Sequence, residues 1–393
     1  MVAKITFFPV GNGDMTLVRF AGVNPTSLMI DVKIRKSADD ETDDETRNVA
    51  SDLRERLQVD VNGRPYVDAF LLSHPDEDHC LGLSKHFWLG PLADYPDDTK
   101  ELKEKRIVIR EMWSSPMIFR RRSKNHTLCA DAQAWNAEAR RRVRVWKSYG
   151  NFGEGDRILV MGEDQNGKTD DLGPILIKQD EVFSHINGLP SLTFSARLLA
   201  PMPSQNEETE EKLSKNESSV ILSLHLKASV TDSYGAKFLT GGDAGVFIWE
   251  RIWNKYNSTP EVLSYDLLLS PHHCSWHSLS YYSWSDYGER ALISDDARSA
   301  LSQAEEGAFI ISSSKAIHDD DNDPPCIRAF REYKEIVDNV EGDFYCTGEY
   351  PSEKNQSPLE FEVSDNGLKR TVSRSTASVL ISTSNAPRAG WHE

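Results

Sequence analysis

The chain has 393 residues, of which 38% are hydrophobic and 27% are charged, and its formal net charge is -17. This length suffices for one large α/β domain with insertions or for two ordinary domains. The acidic balance argues against a protein that coats nucleic acid over its whole surface, because phosphate binding needs clustered Lys and Arg. The longest apolar runs, such as residues 69–72, are strand-sized, so we predict no transmembrane helix.

The N-terminus and the cysteines predict a cytoplasmic protein. The first ten residues contain one Lys and a short apolar run, without the longer apolar core and cleavage site of a secretory signal. The five cysteines are odd in number and widely spaced, with no CxxC pair, which predicts reduced thiols. They are Cys80, Cys129, Cys274, Cys326 and Cys346.

The opening third alternates short β-rich runs with turn residues, which predicts strands of one sheet. The predicted strands lie at residues 5–10, 15–20, 27–32 and 66–72, with a glycine turn at 11–14 and a helix at 49–57. The order strand, helix, strand and polar loop is typical of an α/β fold.

Residues 86–185 interrupt this pattern, and we interpret them as a basic, Trp-containing insertion. Between Lys103 and Lys147 there are thirteen Lys or Arg against four acids, so this segment is strongly basic within an acidic chain. Within it, residues 129–149 are compatible with a helix. Such a local patch can meet an anionic ligand.

The α/β pattern returns in the second half of the chain. Strands are predicted at residues 218–226, 238–239, 267–269 and 309–312, helices at 244–256 and 324–337, and a hairpin at 359–363 with 368–372. The hairpin turns about Asn366-Gly367, and Asp323 or Asn322 is placed to cap the second helix.

The segment with the densest chemistry follows the predicted strand at 66–72 and reads Ser73-His74-Pro75-Asp76-Glu77-Asp78-His79. Imidazole nitrogens and carboxylate oxygens both bind zinc or manganese. The alternating spacing lets one loop direct side chains at two adjacent ions. The alternative is a polar loop in which Asp78 caps a helix that starts near Leu81, but a cap needs one oxygen rather than four ligands.

This segment resembles the HxHxDH signature of the metallo-β-lactamase superfamily, and its HxDxDH form is similar to the hydrolase domain of the ComEC competence-protein family. Other motifs of that family have counterparts in the same order along the chain. They are Asp31 after residues 28–30, Asn216 in Asn216-Glu217-Ser218-Ser219, Asp243 after Gly241-Gly242, and the run His272-His273-Cys274-Ser275, in which His273 matches the last ligand better. The resemblance covers roughly residues 4 to 85 and 216 to 340.

The resemblance implies a four-layer αβ/βα sandwich, the metallo-β-lactamase fold, with the site at one edge of its two sheets. Residues 1–345 would form the metallo-β-lactamase-like domain, including residues 86–185 as the basic insertion. Residues 346–393 would form a C-terminal hairpin extension. The insertion and the extension fall outside the resemblance.

The resemblance also implies one or two divalent ions, zinc or manganese. One metal site would consist of His74, Asp76 and Asp243, and the other of Asp78, His79, Asp243 and His273. Asp31 would support the loop of residues 73–79, and Asp78 would alternatively activate water. These two are therefore the predicted catalytic carboxylates. Asp76 and Asn216 replace two histidines of the superfamily, and Cys274 replaces a Gly, so the first site is oxygen-rich.

Several of these residues have simpler alternative roles. Asp243 can equally cap a helix that begins at Ala244. His272 and His273 can be a surface or core pair. Asn216 can simply form a turn. We keep Asn216 and His272 as candidate metal or substrate ligands.

The predicted reaction is hydrolysis by a metal-bound hydroxide. The resemblance favours a phosphodiesterase or nuclease, with nucleic acid as the partner and no membrane. Arg140, Arg141 and Arg142 are predicted to bind substrate, since Trp113, Trp135 and Trp146 interleave with basic runs of the insertion, although such runs are also typical of a solvated face. Two alternatives stay open, namely a hydrolase of a small ester, thioester or amide, and a catalytically inactive fold relative that binds a partner.

Overall fold

A computed structural model describes residues 2–371 except residues 41, 44–45, 122–125, 204–206, 215 and 233–234. The strands are β1 (Ala3–Phe7), β2 (Thr16–Arg19), β3 (Ser27–Ile30), β4 (Gln58–Val59), β5 (Pro65–Leu71), β6 (Phe87–Trp88), β7 (Ile107–Ser114), β8 (Arg157–Met161), β9 (Leu176–Ile177), β10 (Val182–Phe183), β11 (His185–Ile186), β12 (Leu189–Pro190), β13 (Phe194–Ala200), β14 (Ile221–Lys227), β15 (Gly235–Leu239), β16 (Tyr265–Leu269), β17 (Ala304–Ser312), β18 (Asp343–Cys346), β19 (Pro351–Ser352), β20 (Asn355–Gln356), β21 (Leu359–Ser364) and β22 (Gly367–Thr371). The α-helices are α1 (Val49–Arg54), α2 (Glu77–Cys80), α3 (Leu83–His86), α4 (Pro116–Arg120), α5 (Ala130–Tyr149), α6 (Glu207–Lys212), α7 (Val246–Tyr256), α8 (Trp284–Tyr287), α9 (Asp295–Leu301) and α10 (Ile327–Asp338). Residue 372, at the end of the predicted hairpin, and the extension after it lie outside the described residues.

The larger sheet has the strand order β22-β21-β1-β2-β3-β5-β7-β8-β9, with β4 and β6 paired at its side. On one half, β21, β1, β2 and β3 are antiparallel neighbours. On the other half, β3, β5, β7, β8 and β9 run parallel. Because parallel strands end at the same edge of a sheet, the loops that follow β3, β5, β7 and β8 share one edge.

The smaller sheet has the order β10-β13-β14-β15-β16-β17-β18. Its strands β15, β16, β17 and β18 run parallel, so their following loops also share an edge. Two short two-stranded sheets, β11-β12 and β19-β20, lie apart from both. The two main sheets therefore each supply a row of loops at the carboxyl ends of parallel strands.

The two sheets pack face to face and each carries helices on its other face. Successive side chains of a strand point to opposite faces, and alternate strand residues accordingly enter different cores. One core combines residues of both sheets, a second joins the larger sheet to α1 and α5, and a third joins the smaller sheet to α7, α9 and α10. The chain is thus mixed α/β, and its layers are compatible with the predicted αβ/βα sandwich.

The basic segment at residues 86–185 contributes to the larger sheet. Its strands β7 and β8 continue the parallel half next to β5. Its long helix α5 begins after Cys129, ends at Gly150 in the left-handed conformation, and buries Trp135 against the outer face of that sheet. The C-terminal strand β21 pairs with β1 at the opposite side of the same sheet.

The helices predicted at 244–256 and 324–337 both begin a few residues later than predicted, the first of them at Val246. The helix predicted at 324–337 begins at Ile327, because the consecutive Pro324 and Pro325 disfavour helical backbone in the residues before them. Asp323 does not cap it, since Asp323 Oδ1 accepts a hydrogen bond from the backbone N–H of Trp276 at 3.1 Å.

Within the described residues, none of the helices combines the length and apolarity that crossing a bilayer requires.

Candidate metal centre

Loops from both sheets meet at one place on the molecule. In the larger sheet, the turn between β1 and β2 carries Asp14, β3 leads into Asp31, and β5 leads into residues 73–79. In the smaller sheet, β15 leads into Asp243 and β16 into residues 272–273. These segments are far apart in sequence, and the parallel strands that precede most of them bring them to a common edge.

The innermost group of side chains consists of Asp14, His79, Asp243 and His273. Each offers one ligand atom, and the four atoms lie within 4.8 Å of one another. All four residues are buried, and no other group of this kind occurs among the residues that the structure describes. Two imidazoles with two carboxylates are a donor set that binds zinc or manganese. This group can therefore hold a metal ion.

The distances inside this group have the size expected around one ion. His79 Nε2 lies 3.2 Å from His273 Nε2 and 3.1 Å from Asp243 Oδ1. His273 Nε2 lies 3.5 Å from Asp243 Oδ1. Metal–ligand bonds of about 2.0–2.2 Å in a tetrahedral arrangement place neighbouring ligand atoms roughly 3.3–3.6 Å apart. The residues present thus fit a divalent cation.

Asp243 presents its two carboxylate oxygens to two different pairs of histidines. Its Oδ1 faces His79 and His273 of the innermost group, which we call the compact group. Its Oδ2 lies 3.4 Å from His74 Nε2 and 3.6 Å from His272 Nε2. His74 Nε2 is buried and has no hydrogen-bond partner in the described part of the chain. Asp243 therefore faces all four histidines of the site through its two carboxylate oxygens.

Asp31 anchors the motif loop, which is residues 73–79, by hydrogen bonds to Ser73. Its Oδ1 accepts a hydrogen bond from the Ser73 N–H at 2.7 Å, and its Oδ2 accepts one from Ser73 Oγ at 2.5 Å. The same Oδ2 lies 2.8 Å from His79 Nδ1. A carboxylate at Nδ1 fixes the imidazole ring and directs its Nε2 at the ligand position. Asp31 is therefore a positioning residue for His79.

The charges of the cluster favour a cation at its centre. Burial alone would lower the pKa of His79, but Asp243 and Asp31 outweigh burial and raise it well above its ordinary value. Burial likewise opposes protonation of His273, yet Asp243 and Asp14 raise the pKa of His273 to about 10. Burial would raise the pKa of Asp243, but the adjacent histidines hold it well below its usual range. A bound proton or metal ion is thus the charge that this site stabilises.

The backbone around the last histidines is unusual. His272, His273 and Cys274 have φ of 51°, 54° and 67°, in the left-handed region that non-glycine residues rarely adopt. The His272 N–H donates to Gly242 O at 2.8 Å, and the Ser275 N–H donates to His272 O at 2.9 Å. Such strained backbone persists where surrounding contacts hold it, and it occurs often at functional sites. Here it places two successive imidazoles on the two oxygens of Asp243.

Asp14 is not among the predicted ligands, since residues 11–14 are typical of a glycine turn. Asp14 Oδ1 lies 3.4 Å from His273 Nδ1, and the N–H of Gly13 donates to the same Nδ1 at 3.2 Å. Gly13 has φ of 138°, and a Cβ there would lie 2.5 Å from the backbone oxygen of Asp78. The glycine permits this close backbone approach and so brings the following Asp14 into the buried group, but a Gly-Asp pair in a turn does not by itself indicate a ligand.

Two predicted ligands of the motif loop lie beside the compact group. Asp78 Oδ2 is 3.4 Å from His273 Nε2, but its side chain is 34% exposed. Asp76 Oδ2 is 3.8 Å from His74 Nε2, and its Oδ1 is 3.7 Å from Nε2 of His126, which is absent from the predicted ligands. The predicted oxygen-rich site therefore lies next to the compact group and is less closely assembled.

The segment that begins at Asn216 supports the site through its backbone and serines. Ser219 Oγ accepts a hydrogen bond from the Asp243 N–H at 3.1 Å, and the Val220 N–H donates to Ser73 O at 3.0 Å. Asn216 Oδ1 is buried and has no hydrogen-bond partner among the described residues. These contacts connect the segment to both the motif loop and Asp243.

The capping alternatives for the two key acids are wrong. Asp78 lies inside the short helix α2, whose capping position is Asp76, and the next helix, α3, begins at Leu83 with Gly82 at its capping position. Helix α7 begins at Val246 with Gly245 at its capping position, so Asp243 does not cap it. Both acids therefore direct their carboxylates at histidines instead.

The structure places two of the three arginines predicted to bind substrate, Arg141 and Arg142, in ion pairs and hydrogen bonds within the protein. Arg142 is buried, its Nε donates to Glu138 Oε1 at 2.7 Å, and its Nη2 donates to Ile109 O at 3.0 Å. Arg141 donates to the same Glu138 and, at 2.6 Å, to Asp156 Oδ1. These arginines join α5 to the larger sheet and to the loop before β8.

The remaining member of the run differs from its neighbours. Arg140 is exposed, and within the described part of the chain its Nε donates only to the neutral Asn136 at 3.2 Å. The tryptophans do not interleave with it on a surface, since Trp113 and Trp135 are fully buried in two cores and Trp146 packs against the core beneath α5. An aromatic stacking platform for nucleic acid is therefore not formed by these three rings.

Neither models of known protein families nor curated proteins yield a match to this chain. Its class is accordingly defined by its own geometry, which is a buried His/Asp group at the edge of two packed sheets. Membership of the metallo-β-lactamase superfamily stays a prediction from the motif residues.

Proposed function

We propose that the chain is a metal-dependent hydrolase of the metallo-β-lactamase type that cleaves a phosphodiester. One observation carries the proposal, namely the buried group of Asp14, His79, Asp243 and His273, drawn from four separate loops. Burying several ionisable groups costs free energy unless they are paired or bind metal. Clusters of this kind, with strongly shifted pKa values, concentrate at catalytic sites.

The residues divide into holding, positioning and proton-transfer roles. Divalent ions bound here would polarise the attacked phosphoryl group and lower the pKa of a water molecule. The compact group would hold one ion, and His74 and Asp76, together with Asp243, are the residues available for a second. Asp31 orients His79, and Asp78, partly exposed beside His273, is placed to accept a proton from attacking water.

A phosphodiester is favoured over a small ester for two reasons. The motif segment resembles the ComEC branch in its HxDxDH form. Asp76 stands where the superfamily usually has a histidine, and an added carboxylate suits manganese as well as zinc. Exposed cations also lie at the same edge of the larger sheet, on α5 and after β8. Positive charge beside the site favours an anionic substrate.

The test combines metal analysis with substrate cleavage by the full chain. We expect at least one bound zinc or manganese per chain when it is purified without chelators. We also expect cleavage of a phosphodiester such as bis(p-nitrophenyl) phosphate or DNA. His79→Ala should lower metal affinity and cleavage by more than about 100-fold, since even the loss of a partner behind a ligand costs about 10- to 100-fold.

His318→Ala is the matched control, because His318 is 60% exposed and pairs only with the exposed Glu353 among the described residues. It should leave metal content and cleavage unchanged. Full cleavage by His79→Ala would contradict the proposal. Cleavage of a thioester but no phosphodiester would favour the small-substrate alternative, and a chain without metal that zinc and manganese do not rescue would favour the inactive binding module.

A further inference from the structure

A pocket of about 710 Å³ lies at the carboxyl ends of β7 and β8, between α4 and α5. It is of the size that holds a small organic ligand. None of the ligands of the candidate metal centre lines it. The pocket is therefore a separate recess on the same edge of the larger sheet.

Uncompensated positive charge surrounds this pocket. Arg140, Arg144 and Lys168 are exposed and line it, and no carboxylate among the described residues forms an ion pair with them. Two other lining cations are already neutralised. Arg120 Nε lies 2.6 Å from Asp164 Oδ1, and Lys147 Nζ lies 2.7 Å from Asp171 Oδ2. Three positive charges thus remain available to an anion, in a protein whose net charge is -17.

The spacing of these cations on α5 is unfavourable for the helix itself. Arg140 and Arg144 are four residues apart, so they lie on one face, where like charges repel. Arg141, between them, is paired with two acids, which shows that the helix has carboxylates for pairing nearby. The unpaired arginines therefore fit a role in binding an anion better than a role in folding.

The floor of the pocket is apolar. It is formed by Phe119, Leu128, Val143, Ile158, Val160 and Leu172. A bare inorganic anion would leave this surface exposed to water, whereas a ligand with a flat apolar part would cover it. Guanidinium groups bind phosphate oxygens in a bidentate manner. The lining thus combines recognition of a phosphate with recognition of an aromatic ring.

The pocket adjoins the candidate metal centre through two short segments. Ser114 and Ser115 line it directly after Trp113, whose backbone oxygen accepts a hydrogen bond from the Leu72 N–H at 3.3 Å, just before the motif loop. Leu128 also lines it, two residues after His126, whose Nε2 lies 3.7 Å from Asp76 Oδ1. These two segments connect the lining of the pocket to the motif loop and to Asp76.

We propose that this pocket binds a nucleoside phosphate, either as a free nucleotide or as one unit of a single strand. Arg140, Arg144 and Lys168 contact the phosphate, and the apolar floor receives the base. As the binding part of a phosphodiesterase, the pocket rests on the proposed function, but its occupation requires no metal and no cleavage.

The experiment measures binding in the presence of a chelator, so that hydrolysis does not contribute. The probes are adenosine 5′-monophosphate, inorganic phosphate and a fluorescent single-stranded oligonucleotide. We expect the full chain to bind the nucleotide at least tenfold more tightly than phosphate. We expect R140Q/R144Q and, independently, K168Q to weaken binding at least tenfold and fivefold respectively, and to reduce its salt dependence.

A variant with the same change in net charge provides the control. K354Q/K369Q removes two exposed lysines, and Lys369 lies on β22, at the other end of the larger sheet. It should bind the probes as the unchanged chain does. An oligonucleotide that binds while the free nucleotide does not, with the same loss in R140Q/R144Q, supports a strand as the source of the phosphate.

The proposal is overturned if the chain binds neither nucleotide nor oligonucleotide at millimolar concentration, or if R140Q/R144Q binds as well as K354Q/K369Q. The proposed function has a different mode of failure. A chain that binds nucleotide through these cations but contains no metal would retain this pocket and lose the hydrolase assignment.

Discussion

The candidate metal centre and helix α5 both concentrate charged side chains, but they arrange them differently. At the metal centre, acids and imidazoles from separate loops are buried together. On α5, three consecutive arginines enter three environments: Arg142 is buried, Arg141 is in a surface ion-pair network, and Arg140 faces a pocket. Each residue of a helix is rotated by about 100° from the last. Adjacent charges on α5 therefore differ in role, whereas distant residues at the metal centre share one.

The largest expected effect is the difference in stability between the alanine variants of Arg142 and Arg140. Arg142→Ala leaves the carboxylate of Glu138 without its buried partner and removes donors from two backbone carbonyls. We expect it to lower the free energy of unfolding by about 3–5 kcal/mol. Arg140→Ala, at an exposed position, should change it by less than about 0.5 kcal/mol. Urea unfolding of both variants checks this, and equal losses would mean that the run acts as one unit.

Within the metal centre, the next comparison is between Asp14 and Asp78. Asp14 belongs to the buried group, whereas Asp78 is partly exposed beside it. We expect Asp14→Asn to weaken metal binding by more than about 100-fold and Asp78→Asn by less than about tenfold. Isothermal titration with zinc or manganese measures both. If Asp78→Asn has the larger effect, the ligand set predicted from the motif is the better one.

A smaller effect is expected from Asp31, which contacts no ligand position itself. Asp31→Asn keeps the shape of the side chain but weakens its hold on His79 Nδ1 and Ser73. Metal affinity should fall by about 10- to 100-fold. The same titration checks it, with Asp319→Asn, at an exposed position, as the control. A loss as large as that of His79→Ala would indicate that Asp31 is a ligand.

Much of the fold is predictable because its strands alternate or are uniformly apolar. The strands before the motif and the pair at 359–371 follow from this pattern, and α5 nearly coincides with the run at 129–149. The placement of residues 86–185 is not predictable in the same way. Strands β7 and β8 pair with β5 across long stretches of chain, and no local pattern encodes which strand is the neighbour.

At the site, too, some residues could be predicted from the sequence and others could not. His79, Asp243 and His273 could be predicted because they lie in motifs that resemble those of the metallo-β-lactamase superfamily and follow the same order. Asp14 could not, because a glycine turn needs no ligand to explain it. The roles of the arginines are also unpredictable from the run itself, since Glu138 and Asp156 come from different turns and loops and select which arginines they pair with.

The smallest expected effect concerns how much repulsion between the cations on α5 lowers the free energy of unfolding. Arg144 has Arg140 four residues before it on the same helix, whereas Lys147, three residues after it, is paired with Asp171. Because Arg and Gln have similar helix propensities, Arg144→Gln should raise the free energy of unfolding by about 0.2–0.5 kcal/mol for the repulsive pair that it relieves. Thermal unfolding at low salt checks this, and the gain should shrink in high salt, where exposed charges are screened. Adding adenosine 5′-monophosphate should make the unchanged chain more stable than Arg144→Gln, because a ligand stabilises the form that binds it more tightly. A variant that stays more stable at every nucleotide concentration would show that these arginines repel each other without serving the pocket.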